Sequence, residues 1–340
     1  MAVVTTTVSR IGDINLAAAN DYASENYDLF LKKFSGEVFA TYQAKTVFKP
    51  LTMVRTIPDG KSAQFPVLGT ATAKFHVPGE SLFNTATDGS QEYLSEIKHA
   101  ERVINVDPAR ISPVLISDLD EAMNHYDVRA RYAALLGESL AQELDQTLAK
   151  VAILTARESE TISGTGHGGN TIGKNFSGAA DSTAEALLWV DAIYEAAQQF
   201  DEDNVPKEDR VVVVTPATFY LMLRYAKDEL INTDYSAGNG NVARARLRQA
   251  ADMEIIVSNN LPNGTNPTPG SIERNTYDAN FTNTLAVAFQ KSAFGVVELR
   301  GLSFEAKWST EYQGHLMVAK HVWGAAPLRP ECAIEIDQNP

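Results

Sequence analysis

Asp59-Gly-Lys-Ser-Ala-Gln-Phe-Pro-Val-Leu-Gly69 leads outward, Arg102-Val-Ile-Asn-Val-Asp107 leads back, and a helical pattern then runs unbroken from Ser117 to about Arg157. Asp59-Gly60 is a turn signal, and Lys61 to Leu68 after it reads as a short strand. Thr72 to Val77 reads as a second, and Pro78-Gly79 with the polar tract Asn84 to Glu92 marks the far turn. Pro66 cannot donate to a hydrogen-bonded ladder, which puts its strand at an edge or in an unsupported hairpin. The stretch is an arm too poor in apolar residues to own a core. At about 3.3 Å per extended residue it can reach tens of ångströms.

The helix that follows has Ser117 as N-cap and Asp118, Asp120 and Glu121 in its first turn, where the helix dipole favours acids. Leu119, Met123, Tyr126, Ala130, Ala133, Leu136, Leu140, Leu144, Leu148 and Val151 recur at three- and four-residue spacing. About 40 residues at ~1.5 Å rise make a rod of roughly 60 Å. Its stripe is one-sided, so the rod is expected to lie on something without being buried all round. An arm without a core joined to such a rod suits a subunit that reaches over its neighbours in a shell, and suits a compact enzyme poorly.

The 340 residues are 44% hydrophobic and 21% charged, as in a globular protein. A net charge of −14 disfavours tight binding to a phosphate backbone. Cys332 is the sole cysteine, so no disulfide forms within one chain. The first 20 residues lack a basic start and apolar core, and no apolar run approaches the ~20 residues of a membrane span. A soluble protein made in a cytoplasm is expected, and the sequons at Asn175, Asn263 and Asn280 are then fortuitous.

Asp21 to about Lys45 forms an amphipathic helix pattern, weakened at Gly36, whose apolar face nothing adjacent covers. From Thr183 the chain turns α/β. Thr183 to Phe200 is helical, Arg210 to Thr215 is a buried strand, and Pro216 opens another helix. Met253 to Val257 is a further buried strand, and short strands follow at Leu285–Phe289, Val296–Leu299, Leu302–Lys307, Leu316–Val322 and Ala333–Ile336.

Candidate chemistry is thin. Gly164-Thr-Gly-His-Gly-Gly169 spells a dinucleotide fingerprint and Gly168 to Lys174 most of a phosphate loop. Both need a strand before and a helix after, whereas here a helix precedes and Asn175 replaces the magnesium-holding hydroxyl. A solvated connector over Ser163 to Gly178 is the plainer reading. The histidines are scattered, no Gly-x-Ser-x-Gly elbow exists, and Asp201, Glu202, Asp203, Glu208 and Asp209 lack the alternation of a calcium loop. No catalytic residue, metal ligand or cofactor is expected.

Gly60-Lys-Ser-Ala-Gln-Phe-Pro-Val-Leu-Gly69, Asp120-Glu-Ala-Met-Asn-His-Tyr-Asp-Val-Arg129 with Leu136-Gly-Glu-Ser-Leu-Ala141, and Leu328-Arg-Pro-Glu331 resemble the major capsid proteins of short-tailed coliphages of the T-seven group. Asp209-Arg210 and Ser292-Ala-Phe-Gly295 echo them more faintly. The echoes keep the family's order from about Leu29 to Glu331. The chain departs from it at the extreme N-terminus, the tip Asn84 to Glu96, and the loops Ser163 to Gly178 and Asn259 to Ala279. The resemblance implies an α+β fold of the Hong Kong 97 type. It would comprise an N-terminal arm and helix (1–50), an extended loop (51–116), a peripheral domain with a spine helix (117–182), an axial domain (183–274) and a return to the peripheral domain (275–340). It implies self-assembly as hexamers and pentamers around packaged DNA, with a scaffolding protein, a portal and a possible cementing protein as partners. Lys61, Gln64, Phe65, Pro66, Asn239 and Arg329 are the candidates for contacts between subunits. A phage tail or adhesin protein, or a nucleotide-binding enzyme using Gly164 to Lys174, are the alternatives.

Overall fold

The computed structural model describes residues 47–69, 71, 73–76, 78–83, 93–94, 97–119, 129–162, 167–176, 183–225, 240–241, 246–247, 249–262, 264–266 and 274–338. The helix expected over Asp21 to Lys45 lies outside them. In chain order the elements are β1 (Met53–Thr56), β2 (Ser62–Leu68), β3 (His99–Asn105), β4 (Arg110–Ser117), α1 (Arg129–Ala156), β5 (Asn170–Lys174), α2 (Thr183–Glu202), β6 (Arg210–Val214) and α3 (Pro216–Tyr225). The short strands β7 (Gly240–Asn241), β8 (Arg246–Leu247) and β9 (Gln249–Ala250) lead to β10 (Met253–Val257), and β11 (Thr265–Asn266) and β12 (Ala279–Asn280) lead to β13 (Thr284–Gln290). The chain ends in β14 (Phe294–Ser309), β15 (Gly314–Pro327) and β16 (Ala333–Gln338).

A six-stranded sheet in the order β5-β16-β13-β6-β10-β9 carries the main core. Arg210-Val-Val-Val-Val214 is buried at every position, because β13 runs antiparallel on one side of it and β10 parallel on the other. Trp189, Ile193 and Phe200 of α2 and Phe219 and Met222 of α3 bury their apolar faces in the same core. A second sheet, ordered β1-β14-β15-β4, is dominated by the β14–β15 hairpin. Expected as two strands, β14 is one, with register shifts between Glu298 and Arg300 and between Arg300 and Ser303. Bulges there absorb the break in alternation around Gly301. The last 65 residues serve both sheets, β13 and β16 in one and β14 and β15 in the other.

Helix α1 joins the two. Leu140 packs with Ile116, Met317 and Ala319 of the four-stranded sheet, while Leu144 to Ala156 enters the main core. The expectation of a one-sided rod therefore fails at its C-terminal end. From Thr147 to Ala156 each residue is buried except Lys150 and Leu154, which are half-buried. Ala149, Ala152 and Ala156 are small enough for neighbours to close in, and Thr147 and Thr155 donate their hydroxyls to the carbonyls of Glu143 and Val151. Asp145 is buried beside this segment. It accepts the amides of Val47 (2.6 Å) and Phe48 (3.3 Å) and the side chain of Asn260 (3.4 Å), and burial raises its pKa. The 28 described residues of α1 span about 42 Å; 120–128 of the expected helix lie outside the described residues.

Three further readings are corrected. Residues 73–76 form no strand. Arg110–Ser117, unread because Pro113 interrupts its pattern, is the edge strand β4, where a missing amide is tolerated. The supposed connector contains β5, parallel to β16.

Candidate assembly surfaces

The arm is a two-stranded ladder. Ser62 to Leu68 pairs antiparallel with Asn105 to His99, and no third strand joins it among the described residues. Gly60, with φ +115°, makes the turn into it in a backbone region that favours glycine. Alternation then separates two faces. Ala63, Phe65 and Val67 point inward opposite Ile104, Arg102 and Ala100, while Ser62, Gln64 and Pro66 point outward opposite Asn105, Val103 and Glu101.

The arm's root is not without a core, contrary to expectation. Ala63, Ile104 and Val106 are buried together with Val297 of β14 and Leu328, and Phe65 packs at the margin. Arg102 extends the attachment, donating to Glu158 (2.7 Å) and to Thr161 just beyond α1. Gly295 allows this packing, since a β-carbon there would come within 2.7 Å of a Leu328 methyl and 3.1 Å of an Ile104 methyl. Sequence reading missed the cluster because its members come from four distant segments, each contributing one or two residues.

Beyond the root the arm leaves apolar side chains bare. Phe75 is 100% exposed, Phe83 74% and Leu82 54%, with Leu94 and Ile97 nearly half exposed. Large apolar groups left in water along one projection mark a surface that something else covers. The hairpin tip between β14 and β15 adds a second bare cluster in Trp308, Tyr312 and Leu316.

Of the predicted contact residues, Lys61 and Gln64 expose their side chains, and their carbonyls accept from Val106 N (2.8 Å) and Arg55 Nη1 (2.9 Å). The Arg55 guanidinium lies 5.5 Å over the half-buried ring of Phe65, and Pro66 is exposed on the outer face. Arg329 is exposed, bonded to Glu331 (2.8 Å), and follows Leu328 of the root cluster. Asn239 lies outside the described residues.

Electrostatics lock the base. Glu298 of β14 accepts from His321 (3.2 Å) and Lys49 (2.5 Å), and these partners, His321 foremost, hold its pKa down to about 2. The nucleotide reading finds no support in the geometry. Lys174 bridges Asp191 (2.7 Å) and Glu195 (2.6 Å) of α2. A side chain at Gly169 would collide with the carbonyl of Ala156, so that glycine serves close packing against the end of α1. Asp201 is bound to Arg210 (2.9 Å) and Asp203 to His167 (3.1 Å), and the described residues hold no cluster suited to a metal.

A finished body bearing an arm with uncovered apolar side chains defines a subunit of a larger assembly. The model of the Gp10A-like family, described as "Major capsid protein", matches residues 64–337. The chain is 33% identical over 329 residues to the major capsid protein of Enterobacteria phage T3, and 32% over 331 residues to that of Escherichia phage T7, covering 92% of each partner. Among solved structures, the capsid of Cyanophage P-SCSP1u superposes with a TM-score of 0.76 at 37% identity over 98% of this chain and 99% of that one. The mature capsid of bacteriophage PhiM1, at 20% identity and a TM-score of 0.71 over 96% and 97%, shares the fold. This chain belongs to the Gp10A-like major capsid protein family, with the Hong Kong 97-type α+β fold and a structural role in the capsid of a phage of the T3 and T7 type. The family is structural and not enzymatic, which removes the enzyme and tail-protein alternatives.

Proposed function

We propose that this chain self-assembles as hexamers and pentamers into an icosahedral shell around double-stranded phage DNA, each arm lying over a neighbouring subunit. The observation that carries the reading is the row of bare apolar side chains on an arm whose ladder has two strands. Such a hairpin is marginal in water and gains stability when a neighbour covers it. In this reading 1–50 is an N-terminal arm and helix, 51–116 the extended loop, 117–182 the peripheral domain with its spine helix, and 183–274 the axial domain. Residues 275–340 return to the peripheral domain, lending β13 and β16 to the other sheet. Gln64 and Pro66, with Lys61, Phe65, Asn239 and Arg329, make contacts between subunits. Many weak contacts add by avidity across the shell.

A scaffolding protein, a portal and a cementing protein are the partners proposed for assembly in the cytoplasm of the bacterial host. The net charge of −14 supports packaged DNA that is enclosed without sequence-specific binding. Negative-stain images of the purified chain, alone and with a scaffolding protein, test the reading. Closed spheres with five- and sixfold units are expected, and open fibres or no particles at all would refute it. Deleting 82–96 should leave a soluble, cooperatively melting protein that forms no stable shell. A deletion that unfolds the monomer would place the arm within the core.

A further inference from the structure

The arm meets the body at a partly buried polar junction that the capsid role does not by itself explain. Asn275 pairs with the backbone of Asn105, the last residue of β3: its Nδ2 donates to the carbonyl (2.7 Å) and its Oδ1 accepts the amide (3.3 Å). A side-chain amide here does what another strand would do. Two residues on, the buried carboxylate of Asp107 accepts from the amides of Arg274 (2.9 Å) and Asn275 (3.3 Å), from Asn275 Nδ2 (3.1 Å) and from the Tyr277 hydroxyl (2.5 Å). That hydroxyl in turn accepts the amide of Ala325 in β15 (3.0 Å).

The same junction reaches α1. The Arg110 guanidinium lies 4.1 Å over the Trp323 ring and 5.8 Å from Tyr277, and its Nε binds Glu143 of α1 (2.7 Å). Gly324 completes it, since any side chain there would overlap the carbonyl of Asn105. Residues 274–277, about 170 residues away in sequence, thus grip the end of one strand with directional bonds and are themselves tied to β15, about 50 residues further on. An apolar cluster tolerates sliding, whereas a bidentate amide pair and a carboxylate with four donors do not. A junction needed for stability alone could have been built more cheaply from apolar residues.

We propose that Asn275, Tyr277 and Asp107 are positioning residues that fix the direction in which the arm leaves the body, and through it the angle at which one subunit overlaps the next. The proposal rests on the shell reading above. It makes the root rigid and assigns adjustment between differently placed subunits to the part of the arm outward of the Leu68–His99 pair, beyond the two-stranded ladder.

The test uses the full chain with Tyr277→Phe and Asn275→Ala, beside Ile193→Val, a buried change in α2 chosen for a similar loss of melting temperature. Hydrogen exchange on the unassembled protein is expected to run roughly fivefold faster over 99–106 in the junction variants, with α2 unchanged. Assembled particles of those variants are expected to be mixed in diameter or unclosed, while Ile193→Val keeps the wild-type diameter. Junction variants that give shells of wild-type diameter and yield overturn the proposal. If Asn275→Ala does not fold, Tyr277→Phe, which removes one oxygen, carries the test alone. Should the wild-type chain form no shells, the shell reading fails; the exchange measurement still decides the junction, and unaltered exchange over 99–106 would overturn it.

Discussion

Leu148→Ala probes the finding that α1 is enclosed at one end and one-sided at the other. Leu148 is 0% exposed in the main core, and Leu140, eight residues earlier, is 5% exposed in the small cluster over β4 and β15. Either change removes three carbons, about 2.4 kcal/mol of transfer free energy at ~0.8 per methylene. At Leu148 the large main core holds the cavity open, so the cavity term adds fully and the total comes to roughly 4 to 5 kcal/mol. At Leu140 the cluster is small enough to collapse, and about 2 to 3 kcal/mol is expected. Gln142→Ala, on the exposed face, should stay within ~0.5 kcal/mol. Urea unfolding of the unassembled protein is the assay, with midpoints compared at constant slope. A Leu148→Ala cost equal to or below that of Leu140→Ala would refute the enclosure of the C-terminal half.

Ala251 and Asp252, at φ 50° and 65°, form the two-residue turn between β9 and β10, where non-glycine residues are strained; Ala251→Gly or Ala251→Asn should raise the melting temperature, by ~0.5 to 1 kcal/mol in stability. Glu298 has its pKa lowered from 4.5 to about 2, so its contribution is fully present above pH 4.5 and is lost as pH falls through about 2. With solvent screening at the partly exposed Lys49 allowed for, that contribution is roughly 1 to 3 kcal/mol, and Glu298→Gln should flatten this part of the acid unfolding curve relative to wild type. Asp145, Asp203 and Asp337, whose pKa values burial raises, slope the opposite way in both proteins and cancel in the difference. Lys174→Ala removes two ion pairs to exposed carboxylates and should cost under ~1 kcal/mol, with no ATP or NAD binding at millimolar ligand by calorimetry in either protein.

What was legible in the sequence followed from local pattern. Arg210-Val-Val-Val-Val214 before Pro216 announces a buried strand and a helix start, and both fall within a residue of their expected ends. Gln64 and Pro66 alternate outward as a hairpin reading requires. Misreadings arose where local pattern and tertiary use diverge. Asn170 to Lys174 follows one glycine-rich motif and lies within another, yet it pairs with β16, more than 160 residues away. The enclosed end of α1 looks one-sided because Ala149, Ala152, Thr147 and Thr155 count as neutral on a hydrophobic stripe, although small size is what lets neighbours surround them.

The two C-terminal echoes of the family turn out to be tied together in space. Ala293 accepts the backbone amides of both Leu328 and Arg329 (2.9 Å each), and Gly295 is bare so that Leu328 and Ile104 can fill its place. Ser292 donates to the Gln290 side chain and turns the chain into β14. Ser292-Ala-Phe-Gly295 and Leu328-Arg-Pro-Glu331 therefore form one structural unit, the floor on which the arm's root rests. Neither run has hydrophobic periodicity, so no pattern rule could mark it. What constrains them is mutual fit, in which a glycine, a leucine and a carbonyl each leave room for the others. The arm's outer face has no such partners among the described residues. In the proposed shell it is where the relation between neighbouring subunits would be written, and it is where sequence alone has least to say.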